Sequence, residues 1–192
     1  PMVIGTFIMV ATYSLFYIMT AFAQAYSRTL STLSEAGYPM GLGIPANTFT
    51  GLLLISAIVF AIFISISGLY ADKIGRRKWL IWTTVSILIF ALCMPLFLGN
   101  GTPTSVFAFL VIGMALMGMT FGPMAALLPE LFPTEVRYSG ASLAYNIASI
   151  IGATIAAMIS LKINALYGLM GVGIYLAINA FLTLLALLAS KE

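Results

Sequence analysis

The sequence predicts an all-α integral membrane protein: six transmembrane helices packed as one bundle over residues 1–192. Three observations predict it. The chain is 62% hydrophobic and only 7% charged, with a mean hydropathy of +1.13. Soluble domains are about 45–50% apolar and about 25% charged, so a soluble chain of this composition could not cover its surface. Six apolar segments fall at about 2–24, 48–70, 79–98, 105–128, 139–161 and 169–189. Each can cross ~30 Å of hydrocarbon at a helical rise of ~1.5 Å per residue, and a helix satisfies its own backbone in lipid. All eight Lys/Arg and five Asp/Glu lie outside these segments, as expected where a charge at the bilayer centre costs at least ~2.5 kcal/mol.

The composition also excludes function classes. There is one cysteine, Cys93, and no histidine. No internal disulfide, cysteine zinc site or histidine-based nucleophile can be built, so no enzyme, metal or cofactor is expected. The net charge of +3 is small and not gathered into a nucleic-acid patch. The first residue is Pro1 with no basic stretch before the first apolar run, which reads as a piece of a longer chain rather than a signal peptide.

In the first segment Tyr13, Tyr17, Thr20 and Gln24 recur at helical spacing and share one face. The next gap, 25–47, holds GYPMGLGIP and is too long for a simple turn; a short interfacial helix and an extended end of the first helix both remain open. The second segment ends in GLYADKIGRRK, residues 68–78. Here Gly68 allows close helix approach, Asp72 ends the helix and can accept from Arg76, and Gly75 permits a tight reversal. Arg76, Arg77 and Lys78 hold the loop at the membrane surface; on charge alone it could be a plain anchor.

Trp79 and Trp82 open the third segment, where an aromatic belt would sit, and GNGTPT at 99–104 is the next turn. The fourth segment carries the Gly118/Gly122 pair and Pro123, which predict close packing and a kink. Pro129 and Pro133 then break the helix, and Glu130 and Arg137 lie in one short loop, where the bland reading is a surface ion pair worth ~0–1 kcal/mol. The fifth segment places Tyr138, Ser142, Tyr145 and Ser149 on one face with Asn146 beside them, and Ser149, Ala153 and Ala157 form a small-residue seam. In the sixth, Asn179 is expected to bond a neighbouring helix.

Six crossings put both ends on one side. That side carries Lys73, Arg76, Arg77, Lys78, Arg137 and Lys191, and the other only Arg28 and Lys162. The imbalance predicts that both chain ends and the charged loop are cytoplasmic.

The spacing Gly68–Asp72–Gly75–Arg76–Arg77 resembles the signature loop of the major facilitator superfamily, which lies between the second and third helices of each half of these twelve-helix transporters. The string PELFPTEVR at 129–137 resembles the loop between the tenth and eleventh helices of sugar-porter-like facilitators, and its continuation YSGASLAYNIASIIG resembles more narrowly the metabolite:proton symporters of that superfamily, which carry compounds such as dicarboxylates, shikimate and betaines. The resemblance implies that the chain is the C-terminal half-bundle, helices seven to twelve, of a bacterial inner-membrane symporter. Its partners would be a small organic solute (an organic acid, betaine or similar metabolite), protons, the lipid bilayer, and a missing N-terminal six-helix half or a second copy. It further implies a conformational latch at Gly68, Asp72, Gly75, Arg76 and Arg77, and a cytoplasmic loop motif at Glu130, Pro133 and Arg137. Because the first and fifth helices of each half face the central cavity, the implied substrate path is Tyr13, Tyr17, Gln24, Tyr145 and Asn146; from the residues alone these could equally be helix-to-helix bonds. No acid or histidine lies within any segment, so a proton carrier is expected in the other half. A channel, or a membrane assembly protein without transport of its own, are the competing expectations.

Overall fold

The computed structural model describes residues 2–152 and 156–190. The helices are α1 (Met2–Tyr17), a π turn (Ile18–Phe22), α2 (Ala23–Arg28), α3 (Ala46–Ile74), α4 (Arg76–Leu92), α5 (Met94–Leu98), α6 (Pro103–Glu130), α7 (Arg137–Ile150) and α8 (Ala156–Ala189). Four helical stretches are long and apolar enough to cross a membrane: Met2–Arg28, Ala46–Ile74, Pro103–Glu130 and Ala156–Ala189. The third predicted segment, 79–98, is divided between α4 and α5 at Cys93 and Pro95. The fifth runs through residues outside the described set, which include Ala153 of the small-residue seam, and Lys191 also lies outside it.

Boundaries are set by local chemistry. Thr102 caps α6 by accepting from the Ser105 backbone N–H at 3.2 Å, and Pro103 occupies the first turn, where a missing N–H costs nothing. The first helix runs on to Arg28, so of the two alternatives for the 25–47 gap the extended helix end is present; an isolated antiparallel bridge joins Leu33 and Pro39 within the loop.

α8 is bent at Gly168, whose φ of 69° only glycine adopts readily. Residues eight apart in a straight helix are ~12 Å apart, yet a Cβ on Gly171 would lie 2.7 Å from Ile163 Cγ2. The chain therefore turns sharply at Gly168.

The connections sort to two faces. On one, Arg76 reaches Glu130 at the end of α6 and Arg77 donates to the Leu187 and Leu188 carbonyls at the end of α8. On the other, Asn164 donates to the Pro39 carbonyl at 3.0 Å, Tyr38 packs on Gly168, and Leu42 approaches Gly101. The core between them is apolar, with Ile18, Met19, Phe22, Phe90, Phe109 and Leu176 among its buried side chains.

Polar side chains also join the helices. The Thr183 hydroxyl donates to Phe7 C=O at 2.6 Å and accepts from Ala11 N–H at 3.1 Å; these are the two ends of one backbone bond of α1, so α8 is spliced into that helix. Asn179 Nδ2 donates to Ser14 Oγ at 3.0 Å, the interhelical bond expected of it. Between α3 and α6, a Cβ on Gly118 would lie 2.7 Å from the Phe60 carbonyl oxygen, and one on Gly122 would lie 2.7 Å from that of Ile64. The two glycines let the α6 backbone touch α3.

Candidate functional site

The GLYADKIGRRK segment folds differently from its reading in two respects. α3 continues to Ile74, so Asp72 sits in its last turn and Gly75, at φ 102°, ends it. A Cβ on Gly68 would meet open space; the close approach is made by Gly122, whose Cβ position lies 3.1 Å from Gly68 N. Gly75 alone separates α3 from α4, so this joint is a single left-handed residue.

Across the joint Arg76 binds two acids. Its Nε donates to Asp72 Oδ1 at 2.9 Å and its Nη1 to Glu130 Oε1 at 2.6 Å. The hydrogen bond to Asp72, with the charge of Glu130, raises the Arg76 pKa above its ordinary value. Arg76 stands at the positive N-terminus of α4, where a cation is disfavoured, and the carboxylates offset that. The arginine side chain is 31% exposed and the acids 62% and 55%, so the bridge is partly in water. Glu130 thus pairs with Arg76 and not with its loop neighbour Arg137, whose Nε donates to Phe132 C=O at 3.4 Å. Pro133 lies in the turn between α6 and α7.

Behind the bridge, Trp79 Nε1 donates to Met119 C=O at 2.9 Å. That carbonyl would ordinarily accept from residue 123, which is proline and has no N–H. Tyr70 stacks on Trp79, and Lys73 lies over the Tyr70 ring at 5.9 Å. The gap that Pro123 leaves in the α6 backbone ladder is thereby tied to the joint. Neither this bond nor the Arg77 cap on α8 was legible in the sequence; the proline four residues after Met119 is the signal for the first.

Of the five path residues, the structure brings Tyr13 and Tyr145 together, edge to face with ring centroids 5.4 Å apart. Tyr17 packs edge-on against Phe16 and against the same cluster of side chains as Tyr13. Gln24 leaves the Tyr13 face, because the π turn at Ile18–Phe22 acts as one inserted residue and rotates α2 by about 100° relative to α1. Asn146 is exposed and donates to Ser142 C=O one turn back. A cavity of about 420 Å³ opens between α1, α6 and α7, lined by Met9, Phe121, Met124, Arg137, Tyr138 and Tyr145 among others. Among the described residues no cluster of His, Cys, Asp or Glu could hold a metal ion.

Residues 40–192 match the family described as "Sugar (and other) transporter". A Haemophilus influenzae protein provisionally named a metabolite transport protein is 87% identical over 192 residues, covering 100% of this chain and 44% of that protein. The inner membrane metabolite transport protein YhjE of Escherichia coli K12 is 54% identical over 192 residues, covering 99% of this chain and 42% of its own length. A proline/betaine transporter of Salmonella typhimurium is 32% identical over 146 residues, covering 74% of this chain and 29% of its own. The chain spans less than half the length of these relatives. No solved structure matches it.

Proposed function

The chain belongs to the sugar (and other) transporter family, and on that premise we propose that it supplies the C-terminal half, helices seven to twelve, of a bacterial inner-membrane secondary transporter for a small organic solute. The six-crossing topology is supported by the two-faced sorting of the connections and by the sharp turn at Gly168. With the basic joint inside, both chain ends are cytoplasmic.

The mechanism is alternating access, two half-bundles rocking about a site near the midplane. The observation that carries it is Arg76 joined to both Asp72 and Glu130. The two signature segments, 54 residues apart along the chain at these contacts, meet in one half-exposed contact. Such a contact can be made and broken at little cost as the halves move. On this reading Asp72, 62% exposed, is the acid that meets the other half. Coupling is to protons, with the carrier outside this chain.

The test is uptake by a full-length protein in which the segment preceding Pro1 is taken from the 87%-identical Haemophilus influenzae relative. In liposomes it should show saturable uptake and counterflow of proline, betaine or an organic acid, accelerated by an inward proton gradient. Non-saturating flux would make it a pore, and no flux of any solute tried would make it a membrane protein without transport.

A further inference from the structure

We propose that residues 30–40 are a flap on the face opposite the Arg76 joint, clasped to the turn of α8 and opening during the transport cycle. The proposal rests on the transport reading and adds a moving contact inside one half-bundle, where rocking of two halves alone would move nothing.

The flap is a unit. Leu33 and Pro39 pair as an antiparallel bridge. Ser34 N–H donates to Tyr38 C=O and Met40 N–H to Thr32 C=O, both at 2.8 Å. Gly37, at φ 80°, makes the reversal between them. Such a hairpin is bonded to itself and can move as one piece, yet it has little stability unless it lies on something.

Its base is fixed. Leu42 N–H and Ile44 N–H donate to the Tyr26 and Ser27 carbonyls at 3.1 and 2.7 Å, and Gly43 N–H to Thr29 C=O at 2.8 Å. The loop thus returns to the end of α2 and satisfies carbonyls that the helix itself leaves open. Two glycines form the pivot. Gly43 holds φ 67°, and a Cβ on Gly41 would run into the Thr29 carbonyl.

The far edge is held by much less. Asn164 Nδ2 donates to Pro39 C=O at 3.0 Å, and a Cβ on Gly168 would lie 2.6 Å from Tyr38 Cδ1, so the ring rests where α8 turns. This clasp leaves polar groups unmet. Asn164 is 1% exposed, and its Oδ1 is buried without a partner. Ser160, one turn earlier on the same helix face, has its Oγ buried and unpartnered as well. Buried acceptors without donors forfeit the hydration they would have in water, so they oppose the closed clasp. Lifting the flap lets water reach Asn164 Oδ1, at the loss of one neutral hydrogen bond and one ring contact. Gain and loss nearly offset, which is the condition for both states to be populated.

The test places nitroxides on Glu35→Cys, at the exposed tip, and Lys162→Cys, exposed on α8, in the full-length protein with Cys93→Ser. Electron paramagnetic resonance then reads the distance between them. The parent should show a short distance and a minor longer one. Tyr38→Ala removes the ring contact, and Asn164→Asp at pH 8 removes the donor and sets a carboxylate against the Pro39 carbonyl. Each should raise the long-to-short ratio by about five-fold, the scale of one net hydrogen bond, with the melting temperature confirming the fold. Saturating proline or betaine should change the parent's ratio by at least about two-fold if the solute binds one state better. A single distance in the parent and both variants would make the clasp a permanent staple and overturn the proposal. A ratio that no transported solute alters would overturn the flap's part in the cycle. Counterflow separates the two readings: exchange of proline or betaine with the flap at one distance keeps transport and loses the flap. Two distances without exchange of any solute keep the moving hairpin and lose transport.

Discussion

Glu130→Gln removes one arm of the Arg76 bridge and leaves the other. The contact is short, 2.6 Å, but its partners are 31% and 55% exposed. Exposed pairs contribute ~0–1 kcal/mol, so the variant should fold normally. If the bridge stabilises one of two conformations, the same ~1 kcal/mol is at most a roughly five-fold shift in their ratio. The assay is maleimide labelling of Ser142→Cys, at the cavity, in the full-length protein with Cys93→Ser. Labelling should change up to about five-fold in Glu130→Gln and similarly in Asp72→Asn, with less difference in high salt, which screens exposed charges. Substrate-driven proton uptake should survive in Glu130→Gln. The decisive comparison is the double mutant: once Arg76→Gln is in place, Glu130→Gln should add almost nothing. An undiminished effect in that background would show that Glu130 acts through some other partner and refute the bridge.

Four further outcomes test the packing behind the joint. Gly122→Ala forces a Cβ to within 2.7 Å of the Ile64 carbonyl oxygen and should cost about 1–3 kcal/mol, read as a lowered melting temperature in detergent. Gly68→Ala, whose Cβ enters open space, should leave that temperature level or raise it, since alanine is favoured over glycine inside a helix by roughly 0.5–1 kcal/mol. Trp79→Phe strands the Met119 carbonyl and should cost about 1–3 kcal/mol, with faster hydrogen exchange around Pro123 by mass spectrometry. Thr183→Val removes both hydroxyl bonds to α1 and should lower stability by about 1 kcal/mol, read as a lowered melting temperature.

The helical class was legible because lipid admits few alternatives: backbone must bond internally and charge must stay out. The Gly118/Gly122 contact was legible for a similar reason, since without side chains at those positions α6 can approach α3 closely. Gln24 was misread because the stripe assumed uninterrupted α-helix, and nothing in IMTAF announces a π turn. Gly68 was credited with an approach that belongs to Gly122, because a sequence shows that a glycine is present but not which of two facing glycines the contact needs. Thr183 was missed because its partners, Phe7 C=O and Ala11 N–H, are backbone groups that any residues at those positions would offer.

The proposed latch would need the Arg76 contacts to be half-exposed, as they are. A buried arginine–carboxylate pair strongly resists losing a partner, since separation leaves an uncompensated charge in low dielectric at a cost of ~3–5 kcal/mol. A contact of that strength at the α3–α4 joint would fix the bundle in one state. Left in water altogether, the charges would exert little hold. At 31% exposure and with two acids from different helices, Arg76 can release either one and keep the other, so its charge never stands alone. Gly75 supplies the matching mechanical freedom, because one left-handed residue is all that joins the helix bearing Asp72 to the helix bearing Arg76. Gly75→Ala, which imposes a strained backbone of roughly 1–2 kcal/mol, should therefore disturb the Asp72–Arg76 arm first. The labelling change at Ser142→Cys should then resemble that of Asp72→Asn, and a Gly75→Ala variant that labels like the parent would show that the joint is not where the bridge is set.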